Sequence, residues 1–361
     1  MHSVIVGNIS DSFKDFFQRN SFSKIAVLVD RNTERECLPK FFKDFGNHTP
    51  SIISIQAGEI FKTITTCEII WKKMLDYELD RKSIVLNLGG GVIGDMGGFC
   101  AATYKRGISF VQIPTTLLSM IDASVGGKLG IDLGGIKNSI GVFQDPQEVW
   151  IDPDFLKSLP FREIRSGFAE MIKHALIADQ SQWEELKEVV NLHNLHWGDW
   201  INRSVEIKKR IVLQDPFEKN IRKILNFGHT IGHAVESIYL SSENPLLHGE
   251  AIAIGMLCET YLSHKICGLS KNALSEISEY LINHFGHFTI SEEYFEKIVH
   301  YMRNDKKNEG DRINFALLKE PGQSVYDIFV DPKIILESLS FYNNDMGRVL
   351  NNIKIDRWSK K

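Results

Sequence analysis

Short apolar runs separated by polar or glycine-rich breaks organise the first 155 residues of the chain. Lys24-Ile25-Ala26-Val27-Leu28-Val29-Asp30, Ser51 to Ile55, Ser83 to Leu88 and Phe110 to Ile113 are nearly continuous aliphatic stretches. Runs without an exposed polar face predict strands of a parallel sheet covered by helices on both sides. Ligands of such sheets collect at the carboxyl ends of strands. There the chain places Asp30-Arg31-Asn32, Ala57-Gly58-Glu59 and Gly89-Gly90-Gly91. From about Phe155 the period changes. Gln182 to Val190, Trp200 to Gln214 and Ala251 to Cys267 carry Leu, Ile and Val at helical spacing, with charge opposite. The pattern predicts an α/β, Rossmann-like domain over residues 1–155 and a mostly α-helical domain over 156–361, without repeats or a long linker.

Composition narrows the function without naming it. A chain of 361 residues, 43% hydrophobic and 24% charged, has ordinary globular proportions. A net charge of -4 gives no reason to expect nucleic acid, so an anionic substrate must be caught by local Lys and Arg. No apolar run reaches the roughly 18–20 residues that cross a bilayer. The start, Met1 to Val6, enters a strand-like segment with no targeting pattern, and a cytoplasmic protein is expected. Five scattered cysteines without a Cys-x-x-Cys pair fit reduced thiols.

Three segments carry candidate chemistry. Gly89 to Asp95, GGGVIGD, leaves a strand and enters a small-residue helix start, and Gly89, Gly91 and Gly94 fit G-x-G-x-x-G. It follows the third strand-like run, not the first, which disfavours an ordinary dehydrogenase domain. SVGGKLGIDLGGIKNSIG combines flexible glycine backbone with Lys128, Lys137 and Asn138, suited to a phosphate or polyol but equally to an exposed loop. His229 and His233 stand four apart on one helical face, with His248 further on. Two histidines and a carboxylate form a catalytic zinc set. Spacing nominates His229 and His233 and leaves the carboxylate open.

The order of longer motifs is more specific. IPTTLL (Ile113 to Leu118), IDASVGGK (Ile121 to Lys128), IKNSIG (Ile136 to Gly141), LPFREIRSGFAEMIKH (Leu159 to His174), LNFGHTIGHAVE (Leu225 to Glu236), LLHGEAIAIGM (Leu246 to Met256) and NDKKNEG (Asn304 to Gly310) together resemble the 3-dehydroquinate synthase family of sugar-phosphate cyclases. The resemblance runs from about Asp30 to Gly310. It implies an NAD-binding first domain and a metal- and substrate-binding second one. Zinc, with cobalt a plausible substitute, would be held by Glu170, His229 and His248, and His233 would be an acid–base residue instead of a ligand. NAD would lie over Gly89, Gly90, Gly91 and Val92, with Asp30, Asn32, Glu59 and Lys62 at ribose and adenine. Asp95, Thr115, Thr116, Asp122, Lys137, Phe155, Ser158 and Glu163 would complete the cofactor contacts.

The resemblance also implies a substrate pocket of Asp122, Lys128, Asn138, Lys173, Lys208, Arg222, Asn226, His233 and Lys306, with Arg106 reaching across a homodimer. Of these, His233, Lys128, Asn138, Arg222, Lys173 and Lys208 would be catalytic. Asn220 stands where the family commonly has glycine; asparagine tolerates positive φ, so the turn is expected to survive. The implied reaction turns 3-deoxy-D-arabino-heptulosonate 7-phosphate into 3-dehydroquinate and phosphate, a step of aromatic biosynthesis, with NAD oxidising and then re-reducing the substrate. A sister cyclase acting on another sugar phosphate, and a net oxidoreductase of the glycerol dehydrogenase group, are the rival readings. The second would not need the anion-collecting set Lys128, Asn138, Lys208, Arg222 and Lys306.

Overall fold

A computed structural model describes residues 3–43, 49–134, 136–240, 242–303 and 313–346. Its aliphatic runs become strands because both of their faces are covered. In Ile25–Asp30 and Ile84–Gly89, residues of either parity are buried. The strands are β1 (Ser3–Val6), β2 (Ile25–Asp30), β3 (Ser51–Ile55), β4 (Ile84–Gly89) and β5 (Ser109–Pro114). An antiparallel hairpin of β6 (Lys128–Leu133) and β7 (Ile136–Phe143) follows, then β8 (Glu148–Ile151). Six of them form one parallel sheet in the order β1-β8-β5-β4-β2-β3. β1 pairs with β8 from Ser3 opposite Glu148 to Val6 opposite Ile151.

The chain leaves β2 for β3 on one side and returns to β4 on the other. That reversal is where a parallel sheet opens a crevice. The carboxyl ends flanking it are Asp30 and Gly89.

Helices α1 (Ile9–Arg19), α2 (Arg31–Glu36), α3 (Leu38–Lys43), α4 (Ile64–Asp76) and α5 (Gly91–Thr103) accompany these strands. Asn8 caps α1, whose Phe13 and Phe16 pack edge-on against Trp150 of β8. On α4, Cys67, Ile70 and Met74 join Ile93, Met96 and Cys100 of α5 in one core with Ala26, Leu28 and Val85. α5 is unusual in having no polar face, because small residues let it lie close to the sheet. A Cβ on Gly97 would stand 2.3 Å from Asn87 Oδ1 and 2.6 Å from Leu28 Cδ2.

By contacts the chain divides into two units. One takes in the chain up to Gly167 together with His196–Lys209; the other holds Phe168–Leu195 and the chain from Arg210 onward. The division falls inside α6 (Phe161–Ala178) and, after α7 (Gln180–Leu186), inside α8 (Trp197–Gln214). The second unit continues with α9 (His229–Tyr239), α10 (His248–Leu262), α11 (Lys271–Phe285) and α12 (Phe295–Arg303). A hairpin of β9 (Ile313–Glu320) and β10 (Gln323–Val330) precedes α13 (Pro332–Phe341). Among the described residues no helix is long and apolar enough to cross a membrane.

Two hairpins depart from the sequence reading. The glycine-rich segment after Val125, read as flexible backbone, is the β6–β7 ladder, where Gly130 faces Gly141 and the missing side chains let the strands approach. The β9–β10 hairpin interrupts a region read as mostly helical, and burial of Phe315, Leu317 and Val330 explains it.

The fit of α5 to β4 yields a stability test. Asn87 is buried and its amide has no hydrogen-bond partner, so the site has little slack. Gly97→Ala should destabilise the protein by about 1–3 kcal/mol through overpacking. Adding Asn87→Ala should recover part of that loss in a urea titration; an unchanged midpoint in the double variant would refute the coupling.

Candidate active site

In the first unit the residues ending β2 and β4 hold their own backbone turns. Asp30 caps α2, its Oδ1 accepting from Asn32 N and Thr33 N, both at 2.9 Å. Gly90 is the N-cap of α5, and a Cβ there would stand 3.0 Å from Thr116 Cγ2. Thr115 N donates to Gly89 O, while the Thr116 hydroxyl pairs with Ser119 Oγ. Gly89, Gly90, Gly91, Gly94, Asp95 and Ser124 line a small open pocket at this turn. The α5 N-terminus thus presents its first N–H groups beside open space, an arrangement suited to a phosphate.

Lys62 anchors a polar network in the same unit. Its buried ammonium donates to Asp95 Oδ2 and to Asn138 Oδ1, both at 2.6 Å. Burial pulls this amine toward its neutral form, but the carboxylates of Asp95 and Glu59 outweigh burial and hold its pKa above the ordinary value. Asn138 sits at an irregularity of the β6–β7 ladder with φ +48, its N–H donating to Asp132 Oδ1 at 2.8 Å. Lys137 Nζ lies 3.8 Å from Glu59 Oε1, and Lys128 is exposed at the start of β6.

Other residues of this set lie apart along the chain. Phe155 is buried, with Lys40 Nζ over its ring at 4.6 Å, and Ser158 Oγ donates to Phe155 O. Glu163 is in the first turn of α6. Lys208 Nζ donates to Asp122 Oδ1 at 2.7 Å. Lys105 and Arg106 are exposed and left-handed, with φ +49 and +69, a strained pair for residues bearing a Cβ.

The second unit gathers the histidines. α9 begins at His229 and α10 at His248. Glu170 Oε1, buried on α6, lies 3.5 Å from His229 Nε2 and 3.5 Å from His248 Nε2. Bonds of about 2.0–2.1 Å in a tetrahedral zinc site place neighbouring donors roughly 3.4 Å apart, so the spacing of Glu170 to each of these histidines suits a shared divalent cation. His233 is exposed, and ligand atoms of His229, His233 and His248 fall within 4.8 Å of one another. Lys173, also buried, forms an ion pair with Glu170. Burial, helped by the Lys173 ammonium, holds the His229 imidazole well below its ordinary pKa. Burial also pulls His248 down, but hydrogen bonds to Glu170 and Glu236 outweigh it and push that pKa up to about 9. A proton on His248 occupies ground that a bound cation would take over.

The anion-binding candidates of this unit hang on one carboxylate that the sequence did not single out. Asp215 accepts from Lys219 N at 3.0 Å, Asn220 N at 2.6 Å and Arg222 N at 3.1 Å. Arg222 is buried, donating through Nη1 to Pro216 O at 2.5 Å. Asn226 Nδ2 donates to Glu218 Oε1 at 2.7 Å. The expectation for Asn220 needs correction. Its φ is -137°, and the left-handed residue of the turn is Glu218, at φ +58. The three bonds to Asp215 close the loop without positive φ at Asn220. Lys306 lies outside the described residues.

This fold is shared with solved two-domain enzymes. The structure of 2-deoxy-scyllo-inosose synthase complexed with carbaglucose-6-phosphate, NAD+ and Co2+ superposes with a TM-score of 0.82 at 24% identity, over 94% of this chain and 95% of that one. 2-epi-5-epi-valiolone synthase from Streptomyces hygroscopicus, with NAD+ and Zn2+ bound, gives 0.81 at 24% identity over 97% of each. Glycerol dehydrogenase from Schizosaccharomyces pombe is more distant, at 0.63 and 14% identity over 98% of this chain and 92% of that one.

Sequence identifies the family. The family models for the 3-dehydroquinate synthase N-terminal and C-terminal regions match residues 52–166 and 167–308. The 3-dehydroquinate synthase of Parabacteroides distasonis is 40% identical over 95% of this chain and 98% of its own length. That of Campylobacter concisus is 41% identical over 88% and 91%. The chain belongs to the 3-dehydroquinate synthase family.

Asp215 supplies a pH test. Burial alone would raise its pKa, but the backbone donors and Arg222 lower it below the ordinary value. A depressed carboxylate stabilises the fold above its unfolded pKa, about 3.9, and the contribution disappears as pH falls through the folded value. Asp215→Asn should therefore be less stable than the native chain at neutral pH, with the gap closing below about pH 4. A gap that stays constant down to pH 2.5 in thermal melts would contradict this.

Proposed function

We propose that the chain catalyses the 3-dehydroquinate synthase reaction, converting 3-deoxy-D-arabino-heptulosonate 7-phosphate to 3-dehydroquinate and inorganic phosphate. The observation that carries the reading is the buried Glu170 carboxylate facing the Nε2 atoms of His229 and His248 at tetrahedral donor spacing, in a chain of this family. Glu170, His229 and His248 hold zinc, or cobalt in its place, and the Gly89–Gly91 turn with Asp30, Asn32, Glu59 and Lys62 holds NAD. When bound, NAD serves as a reversible hydride acceptor that acidifies the C–H beside the leaving phosphate, and the metal serves as a Lewis acid toward the substrate's hydroxyl oxygens.

The chain's own residues bind, orient and move protons. Lys128, Lys208, Arg222 and Lys306 neutralise a phosphate and a carboxylate that carry roughly three negative charges between them. Asp215 fixes the loop that aims Arg222, so the guanidinium meets the anion without reorganising. Asn138 and Asn226 orient substrate oxygens, and Lys173 balances the charge of Glu170. Exposed on α9 beside the two ligands, His233 is placed to exchange a proton with substrate. Asp95, Thr115, Thr116, Asp122, Lys137, Phe155, Ser158 and Glu163 complete the cofactor's surroundings.

A cytoplasmic homodimer is part of this reading, with Arg106 of one copy serving the other copy's substrate. The exposed apolar side chains of Leu133, Ile136 and Phe143 on the β6–β7 hairpin support it.

Purified protein given the seven-carbon keto-acid phosphate, catalytic NAD and zinc or cobalt should release phosphate and dehydroquinate together, with no net NADH. Stoichiometric NADH would instead favour a dehydrogenase. His229→Ala should abolish turnover and lower metal content; unchanged metal stoichiometry would refute the ligand assignment. Arg222→Ala should raise the substrate requirement at least tenfold while metal stays bound.

A further inference from the structure

α9 and α10 each start with a proposed ligand, and a carboxylate of the other helix reaches each start. The N-cap of α9 is Gly228, left-handed at φ +80, which has no side chain to cap the helix. The N–H groups of Gly228 and Ile231 donate instead to Glu259 of α10, at 2.6 Å to Oε2 and 3.2 Å to Oε1. Glu259 is fully buried. The peptide that joins Phe227 to Gly228 is planar, so fixing its N–H fixes its carbonyl. That carbonyl, Phe227 O, lies 3.1 Å from His229 Nδ1. Accepting the Nδ1 proton, it leaves the Nε2 lone pair directed at Glu170.

The converse holds at the other ligand. His248 Nδ1 lies 3.4 Å from Oε2 of Glu236, a buried residue two turns along α9, while its Nε2 faces Glu170. The two helices approach closely enough for this exchange because glycines line their contact. A Cβ on Gly255 would stand 1.9 Å from Gly228 O.

We infer that Glu236 and Glu259 form a reciprocal carboxylate brace, positioning residues that set metal affinity by fixing the tautomer and ring orientation of the ligand at the start of the opposite helix. The inference rests on His229 and His248 being metal ligands. Carboxylates in this role strengthen a metal site roughly 10–100-fold.

Co2+ titration of the full chain, followed by visible d–d absorption and by chelator competition without substrate, reads the effect directly. Glu236→Ala should raise the Co2+ Kd at least about tenfold and shift the d–d bands, with Glu236→Gln restoring part of the affinity. Glu259→Gln, or Glu259→Asp should the first fail to fold, should weaken binding by a similar factor. Far-UV circular dichroism and the metal-free melting midpoint separate this from general unfolding. Variants at 236 and 259 that bind Co2+ within twofold of the native chain, while His229→Ala and His248→Ala lose it, overturn the brace. Tight binding by those two histidine variants instead overturns the ligand assignment itself.

Discussion

The second unit is built around a carboxylate that water does not reach. Glu170 is fully buried on α6, and an ionised group in that position is tolerable only when opposite charge and hydrogen-bond donors surround it. Lys173, one turn later on the same helix, supplies the charge, and His248, whose pKa is raised, turns a second positive group toward it. Three segments separated widely in sequence must converge to satisfy one side chain. The packing of α9 on α10, the left-handed Gly228 and the Glu259 cap all serve that convergence. The two histidines shift in opposite directions around it: burial and the Lys173 ammonium lower His229 against the pull of Glu170, while hydrogen bonds to Glu170 and Glu236 overcome burial at His248.

The first unit obeys a different logic. Its polar groups gather where the parallel sheet reverses its winding, and many of them are occupied with holding the backbone. Asp30 caps α2, Thr116 steadies the turn after β5, and Lys62 joins Asp95 to Asn138 across three segments. A side chain anchored by its own turn is already in place when a ligand arrives, so little ordering entropy remains to be lost on binding.

The sheet strands were legible because two-sided burial removes polar alternation, as in Val27-Leu28-Val29 and Leu86-Asn87-Leu88. The β6–β7 hairpin was not, because its glycines mimic a loop and only the pairing of Gly130 with Gly141 shows that they serve close approach. Histidine spacing pointed to His229 and His233; Glu170, brought in from α6, could be nominated only by family resemblance. Asp215 and Glu259 left no local signal, since each acts on backbone groups brought near by folding. Glu236 did leave one. It stands seven residues after His229, on the same helical face, where a carboxylate facing the histidines could have been read from the sequence.

Among the described residues the edge strand β1 pairs with β8 alone, Ser3 opposite Glu148, so most of the first unit lies between the two in sequence. In synthesis from N- to C-terminus, β1 therefore waits for roughly 150 residues of later sequence before its strand partner exists. Phe13 and Phe16 of α1 share that delay only in part, since Phe41 and Phe22 lie against them as well as Trp150 of the late strand. The pairing of β1 is thus among the late contacts of its sheet to form, while the helix that follows it can find its first aromatic neighbours within the next thirty residues.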